Sequence, residues 1–197
     1  MMRKETYATT GPRMLVRCSC GWDFQASDAE GRLPADLGYA KGVPMGGDLL
    51  GDPKDRVPSF LVASLKDPIS GNLDRIQIVK VWLEGKARQE KVYDVVWSGD
   101  RTSGADGELP PVGNTVDVAS ATWANTIGAA ELISVWVDPD FDPKQPAAYY
   151  ARVLEIPTPR WTAYDAERYA QTLAPEIPMT TQERAYASPI WYTPWSE

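Results

Sequence analysis

Arg75-Ile76-Gln77-Ile78-Val79-Lys80-Val81-Trp82-Leu83, then Glu84-Gly85-Lys86, then Lys91-Val92-Tyr93-Asp94-Val95-Val96-Trp97 is the stretch that decides the fold. Both apolar runs are rich in Val, Ile, Trp and Tyr, whose branched or aromatic side chains suit a pleated, half-buried surface. Gly85 stands where a tight turn needs positive φ, which glycine adopts without a steric penalty. The stretch therefore predicts a β-hairpin with strands over 75–83 and 91–97. Alternation breaks at Ile78-Val79, which predicts a bulge or burial on both faces.

The same composition recurs on either side. Strands are expected over 14–24, 59–65, 115–123, 132–137, 149–156 and 185–192, about eight in all. In the first, Met14, Val16, Cys18, Cys20 and Trp22 share a face. In 132–137, Ile133, Val135 and Val137 oppose Leu132 and Trp136, the mark of a central strand. Helix is scarce. Thr162 with Asp165 resembles a capping box and predicts a helix over 163–173, ended by Pro175. Ser27 with Glu30 caps a short turn, and 35–41 makes one more. Seventeen prolines and fifteen glycines punctuate the chain, and 42–58 and 98–113 read as long surface loops. Many short antiparallel strands without a βαβ rhythm predict a mainly β protein. The expected architecture is an antiparallel β-sandwich, Ig-like or similar, with one or two short helices and long loops.

Composition narrows the chemistry. The 197 residues include no histidine and only two cysteines. A Ser-His-Asp or Cys-His nucleophile is excluded, and so is a mixed His/Cys zinc cage. Cys18 and Cys20 share a strand face roughly 6–7 Å apart, too far for an unstrained disulfide, and are expected as buried free thiols. The net charge is −7, which argues against nucleic-acid and anionic-membrane partners. No apolar run is long enough to span a bilayer. Met1-Met2-Arg3-Lys4-Glu5 lacks a signal-peptide core, so the compartment stays open. Most of the eight tryptophans are expected in the core or between layers.

Four groups of residues are candidates for binding, and each has an ordinary structural alternative. Asp138, Asp140 and Asp142 alternate as calcium ligands do, but the loop lacks the Gly and Glu of an EF-hand and reads equally as a rigid acidic turn. Thr9-Thr10-Gly11-Pro12-Arg13 places hydroxyls beside Arg13, fit for an anion or for a simple connector. Gly42-Val43-Pro44-Met45-Gly46-Gly47-Asp48 is glycine-rich but follows no strand, so it is no nucleotide loop; Asp48 is a candidate to reach a neighbouring cleft. Trp191, Tyr192 and Trp195 form a candidate platform for carbohydrate or peptide.

Several segments taken in order resemble one bacterial family. They include Lys4-Glu5-Thr6-Tyr7-Ala8-Thr9-Thr10-Gly11-Pro12-Arg13, Gly21-Trp22-Asp23-Phe24, Gly42-Val43-Pro44-Met45-Gly46-Gly47-Asp48-Leu49, and Asn72-Leu73-Asp74-Arg75-Ile76-Gln77-Ile78-Val79-Lys80. Others are Val112-Gly113-Asn114-Thr115-Val116-Asp117, Tyr150-Ala151-Arg152-Val153-Leu154-Glu155-Ile156-Pro157-Thr158-Pro159-Arg160-Trp161, and Ser188-Pro189-Ile190-Trp191-Tyr192-Thr193-Pro194. The family is the domain of unknown function 3604, and Cys18-Ser19-Cys20 departs from its pattern. The resemblance implies a longer parent whose front part is similar to PHP-class (polymerase and histidinol phosphatase) metal-dependent hydrolases. It makes residues 1–13 the remnant of the last helix and exit segment of an absent PHP-like barrel. Residues 14–197 become a C-terminal β-sandwich. The implied role is a non-catalytic accessory domain with no catalytic residue and no cofactor of its own. Divalent metal is expected only in the absent catalytic domain, which is also the implied partner, and export of the parent stays open. The alternative is a carbohydrate- or peptide-binding module using exposed Trp and Tyr.

Overall fold

The hairpin forms around Gly85, whose φ is 63°, with Glu84 paired to Ala87 across a two-residue turn. Both Ile78 and Val79 are fully buried, so the break in alternation reflects two covered faces. The bulge lies earlier, where the register shifts between Ile76 and Gln77 and leaves Val95 unpaired.

The computed structural model describes residues 2–31, 33–51, 53–104 and 107–194. In chain order the strands are β1 (Tyr7–Thr9), β2 (Leu15–Gly21), β3 (Gly42–Pro44), β4 (Asp48–Leu49), β5 (Ser59–Leu65), β6 (Leu73–Glu84), β7 (Ala87–Trp97), β8 (Glu131–Val137), β9 (Ala147–Glu155), β10 (Thr158–Pro159), β11 (Thr180–Thr181), β12 (Arg184–Ala187) and β13 (Ile190–Tyr192). The helices are a 3-10 turn (Ala26–Glu30), α1 (Pro34–Lys41) and α2 (Trp161–Arg168).

The protein is mainly β, with a sandwich-like arrangement of sheets. The large sheet centres on β9, which pairs antiparallel with β6 on one side and with β12 and β13 on the other. Beyond them β7 extends β6, β1 extends β12, and β4 runs parallel to β13. The small sheet has the order β3-β2-β5-β8. Strand β9 buries alternate residues, so Ala147, Tyr149, Ala151 and Val153 face inward. They meet Val16, Cys18, Cys20, Phe60 and Val62 of the small sheet in one core. The Phe60 ring lies 4.9 Å from Tyr149 and 5.5 Å from Trp136; such pairs add about 0.5–1.5 kcal/mol beyond area burial. Strand β5 is covered on both faces because it is central in its sheet.

Several expectations are corrected. Residues 115–123 form no strand: Asp117 turns the chain by accepting the Ala119 N–H and the Ser120 hydroxyl, and only an isolated bridge joins Asp117 to Thr122. The 185–192 strand is split into β12 and β13 at Ser188-Pro189, where proline has no N–H to donate. Helix α2 starts earlier and ends sooner than 163–173, with Ala170 left-handed at φ 50°. Its N-cap is Arg160; Thr162 instead donates to the Pro178 carbonyl at 2.6 Å. The capping box of the 3-10 turn joins Gln25 and Asp28, not Ser27 and Glu30. Two short strands, β3 and β4, occupy the expected loop 42–58. Residues 2–13 hold β1 and, where described, no helix. No described tryptophan is fully interior: Trp22, Trp82 and Trp136 rim the core, and Trp161 and Trp191 are exposed.

Candidate functional site

Five side chains line up across the outer face of the large sheet. Glu90 of β7 opposes Val81 of β6, and Val81 opposes Ala148 of β9. Ala148 opposes Trp191 of β13, which is in register with Asp48 of β4. Opposed residues point to the same face of a sheet, so the row reads Glu90–Val81–Ala148–Trp191–Asp48. Ile190 and Tyr192 are buried on either side of Trp191, and alternation turns its indole outward, 47% exposed. Ala148 and Val81 are short, so the surface dips beside the indole. The dip is an open groove of ≈ 400 Å³ bounded by Val81, Leu83, Ala148, Tyr150, Pro189 and Trp191. Arg88 stands at its rim. Two rows away the face becomes polar: Gln77 donates to Asp94 at 2.7 Å and accepts from Arg152 at 2.7 Å.

The inner face carries a different cluster. Lys80 and Lys91 are directly opposed on β6 and β7, an arrangement that repels unless counter-charge is supplied. The chain leaving β8 supplies it. Lys80 Nζ lies 2.7 Å from Asp138 Oδ2 and 2.6 Å from the Asp140 carbonyl, and Tyr149 donates to the same Asp138 oxygen at 2.8 Å. Lys91 Nζ meets Asp140 at 2.5 Å, where Tyr93 also donates at 2.6 Å. These bonds to Lys91 and Tyr93 hold the Asp140 carboxyl below its usual range. Burial, with the Asp138 carboxylate beside it, pushes the Tyr149 phenol up. Asp142 faces away and accepts the Lys144 N–H at 2.8 Å. Two of the three candidate calcium ligands, Asp138 and Asp140, thus meet ammonium groups.

The remaining candidates separate. Arg13 is exposed, and its N–H donates to Asp67 at 2.7 Å; Thr10 beside it bonds the Glu183 carboxylate. Tyr192 is buried, with its hydroxyl on the Pro143 carbonyl at 2.8 Å, so it offers no exposed ring. Trp195 lies outside the described residues. Cys18 and Cys20 are buried free thiols, and burial pushes Cys18 up to about 12. Glu155 was not singled out by the sequence. It is fully buried, its Oε1 has no partner, and its Oε2 accepts the Ser70 hydroxyl at 2.7 Å. Burial pushes it up to about 7, with Glu183 and Asp67 adding to the rise. Its signal was faint, because an acidic residue closing a strand ordinarily reads as solvated.

With the groove and the clusters in place, the family model described as a protein of unknown function (DUF3604) matches residues 1–194. The chain belongs to that family. No curated protein and no solved structure matched it. The match spans both sheets of the DUF3604 chain, the groove and the Lys80 cluster. Among the described residues of this DUF3604 protein, no three His, Cys, Asp or Glu side chains are grouped so as to hold a metal ion. No helix among the described residues is long and apolar enough to cross a membrane.

Proposed function

We propose that this chain is a non-catalytic accessory β-domain that packs against a PHP-like, metal-dependent catalytic domain and helps to shape access to its site. The observation that carries this reading is a bare apolar strip on the outer face of the small sheet. Leu15 opposes Leu65 there, 57% and 45% exposed, and Val137 is 50% exposed at the edge strand. Ile133 and Val135 continue the strip, half-buried. Helix α1 and the 3-10 turn cover the rest of that face, where Leu61 is 2% exposed. Apolar area returns about 25 cal/mol per Å² when removed from water, and a contiguous exposed strip marks a surface built to be covered. In this reading the metal and its ligands belong to the neighbouring domain.

Two measurements test the proposal. Assayed alone with divalent metals, the purified chain gives no turnover of phosphoester or amide substrates; metal-dependent turnover by this chain overturns the reading. A Leu15→Lys, Leu65→Lys variant keeps the melting temperature of the parent chain and gains solubility. A collapse of folding would assign those leucines to the chain's own core and remove the docking strip.

A further inference from the structure

We propose that the groove on the outer face of the large sheet is a binding site for a neutral oligosaccharide. The site stands apart from the bare strip on the small sheet, and it needs no second domain. Its floor is the Val81–Ala148 pair, with Trp191 as one wall and Tyr150 and Leu83 on other sides. Asp48 and Glu90, both exposed, end the row, and neither is engaged in a hydrogen bond or ion pair among the described residues. Binding sites for small ligands combine an apolar lining with a few polar groups that fix orientation. A pyranose ring matches that pattern chemically. Its C–H face lies against an indole, and its hydroxyls accept from Arg88 in the lining and donate to Asp48 and Glu90, which sit one position beyond Trp191 and Val81.

The surrounding chemistry disfavours the other classes. An extended peptide adds to a sheet through an open edge strand, whereas this groove crosses β6, β9 and β13 where their edges are already paired. An anionic ligand or lipid surface would find a single cation, Arg88, in the lining, flanked by the Asp48 and Glu90 carboxylates one position beyond Trp191 and Val81, and like charges brought together at an interface are unfavourable. Arg88 at the rim adds a donor for a ring or hydroxyl oxygen.

Immobilised cellohexaose, xylohexaose, mannohexaose and chitohexaose, set beside proline-rich peptides and phosphatidylglycerol vesicles, provide the screen, with titration calorimetry on any hit. The expected result is binding to at least one of the four glycans. Trp191→Ala should weaken it about tenfold or more, the loss typical on truncating an aromatic anchor, while Trp191→Phe retains part of it. Asp48→Asn, on an exposed side chain, should lower affinity without shifting the melting temperature, and it decides the matter if Trp191→Ala does not fold. Silence toward all four glycans overturns the proposal. So does glycan binding that survives both Trp191→Ala and Asp48→Asn, or binding to the peptides or vesicles alone.

Discussion

Asp138 and Glu155 are both interior carboxyl groups at the ends of strands, 1% and 0% exposed, yet one meets a cation and the other meets carboxylates. Asp138 takes the Lys80 ammonium and the Tyr149 hydroxyl on Oδ2, and the Asp140 N–H on Oδ1. Glu155 has the Ser70 hydroxyl on one oxygen, nothing on the other, and the charges of Glu183 and Asp67 nearby. Burying a charge is tolerated when an opposite charge and hydrogen bonds replace water, and otherwise the group keeps its proton. The difference comes from topology. Lys80 faces Asp138 because β8 leaves the small sheet beside β6, whereas the end of β9 lies beside the 66–72 loop and β12, which bring Asp67 and Glu183.

Breaking the satisfied carboxyl should have the largest effect. Lys80→Met leaves Asp138 buried without its cation and should lower unfolding free energy by roughly 3–5 kcal/mol in urea titrations. The double variant Lys80→Met, Asp138→Leu should recover most of that loss, and failure to recover would show that Lys80 matters through packing rather than charge.

The unsatisfied carboxyl should announce itself through pH. A group whose folded pKa is raised holds its proton more tightly in the native state, so stability falls as pH rises through the range where the unfolded chain has lost that proton and the native state still holds it. Glu155 rises from 4.5 to about 7, so its contribution is full below the unfolded value and is lost as pH climbs through that window. The loss is on the order of 3 kcal/mol by linkage. Glu155→Gln should flatten the difference between stability at pH 5 and at pH 8, read as melting temperatures; an unchanged slope would remove Glu155 as its source. Tyr149→Phe deletes one hydrogen bond to Asp138 and should lower stability by roughly 1.5–3 kcal/mol. Lys91→Ala touches a half-exposed pair with Asp140 and should change stability by less than about 1 kcal/mol, an effect that added salt erases.

The central hairpin was legible because local chemistry alone forces it: β-branched runs on both sides of a glycine that must be left-handed. Residues 115–123 misled because Val116 and Val118 alternate as in a strand while Asp117 and Ser120 spend their side chains on a turn. Within 138–142 the acidic spacing was plain, but its meaning depended on Lys80 and Lys91, which lie some fifty residues away in sequence and come together only through pairing of β6 with β7. Asp48 and Trp191 were each visible as candidates. Their adjacency was not, since a parallel pairing between such distant strands leaves no periodic trace in either segment.

Strand β1 finds its partner at the far end of the chain: Tyr7 pairs with Ala187, and Thr9 with Ala185. During synthesis the Tyr7–Thr9 segment must therefore wait, unpaired, until β12 has emerged. Such a high-contact-order closure is slow, and it leaves the β12 edge open to rival strands until the first residues dock.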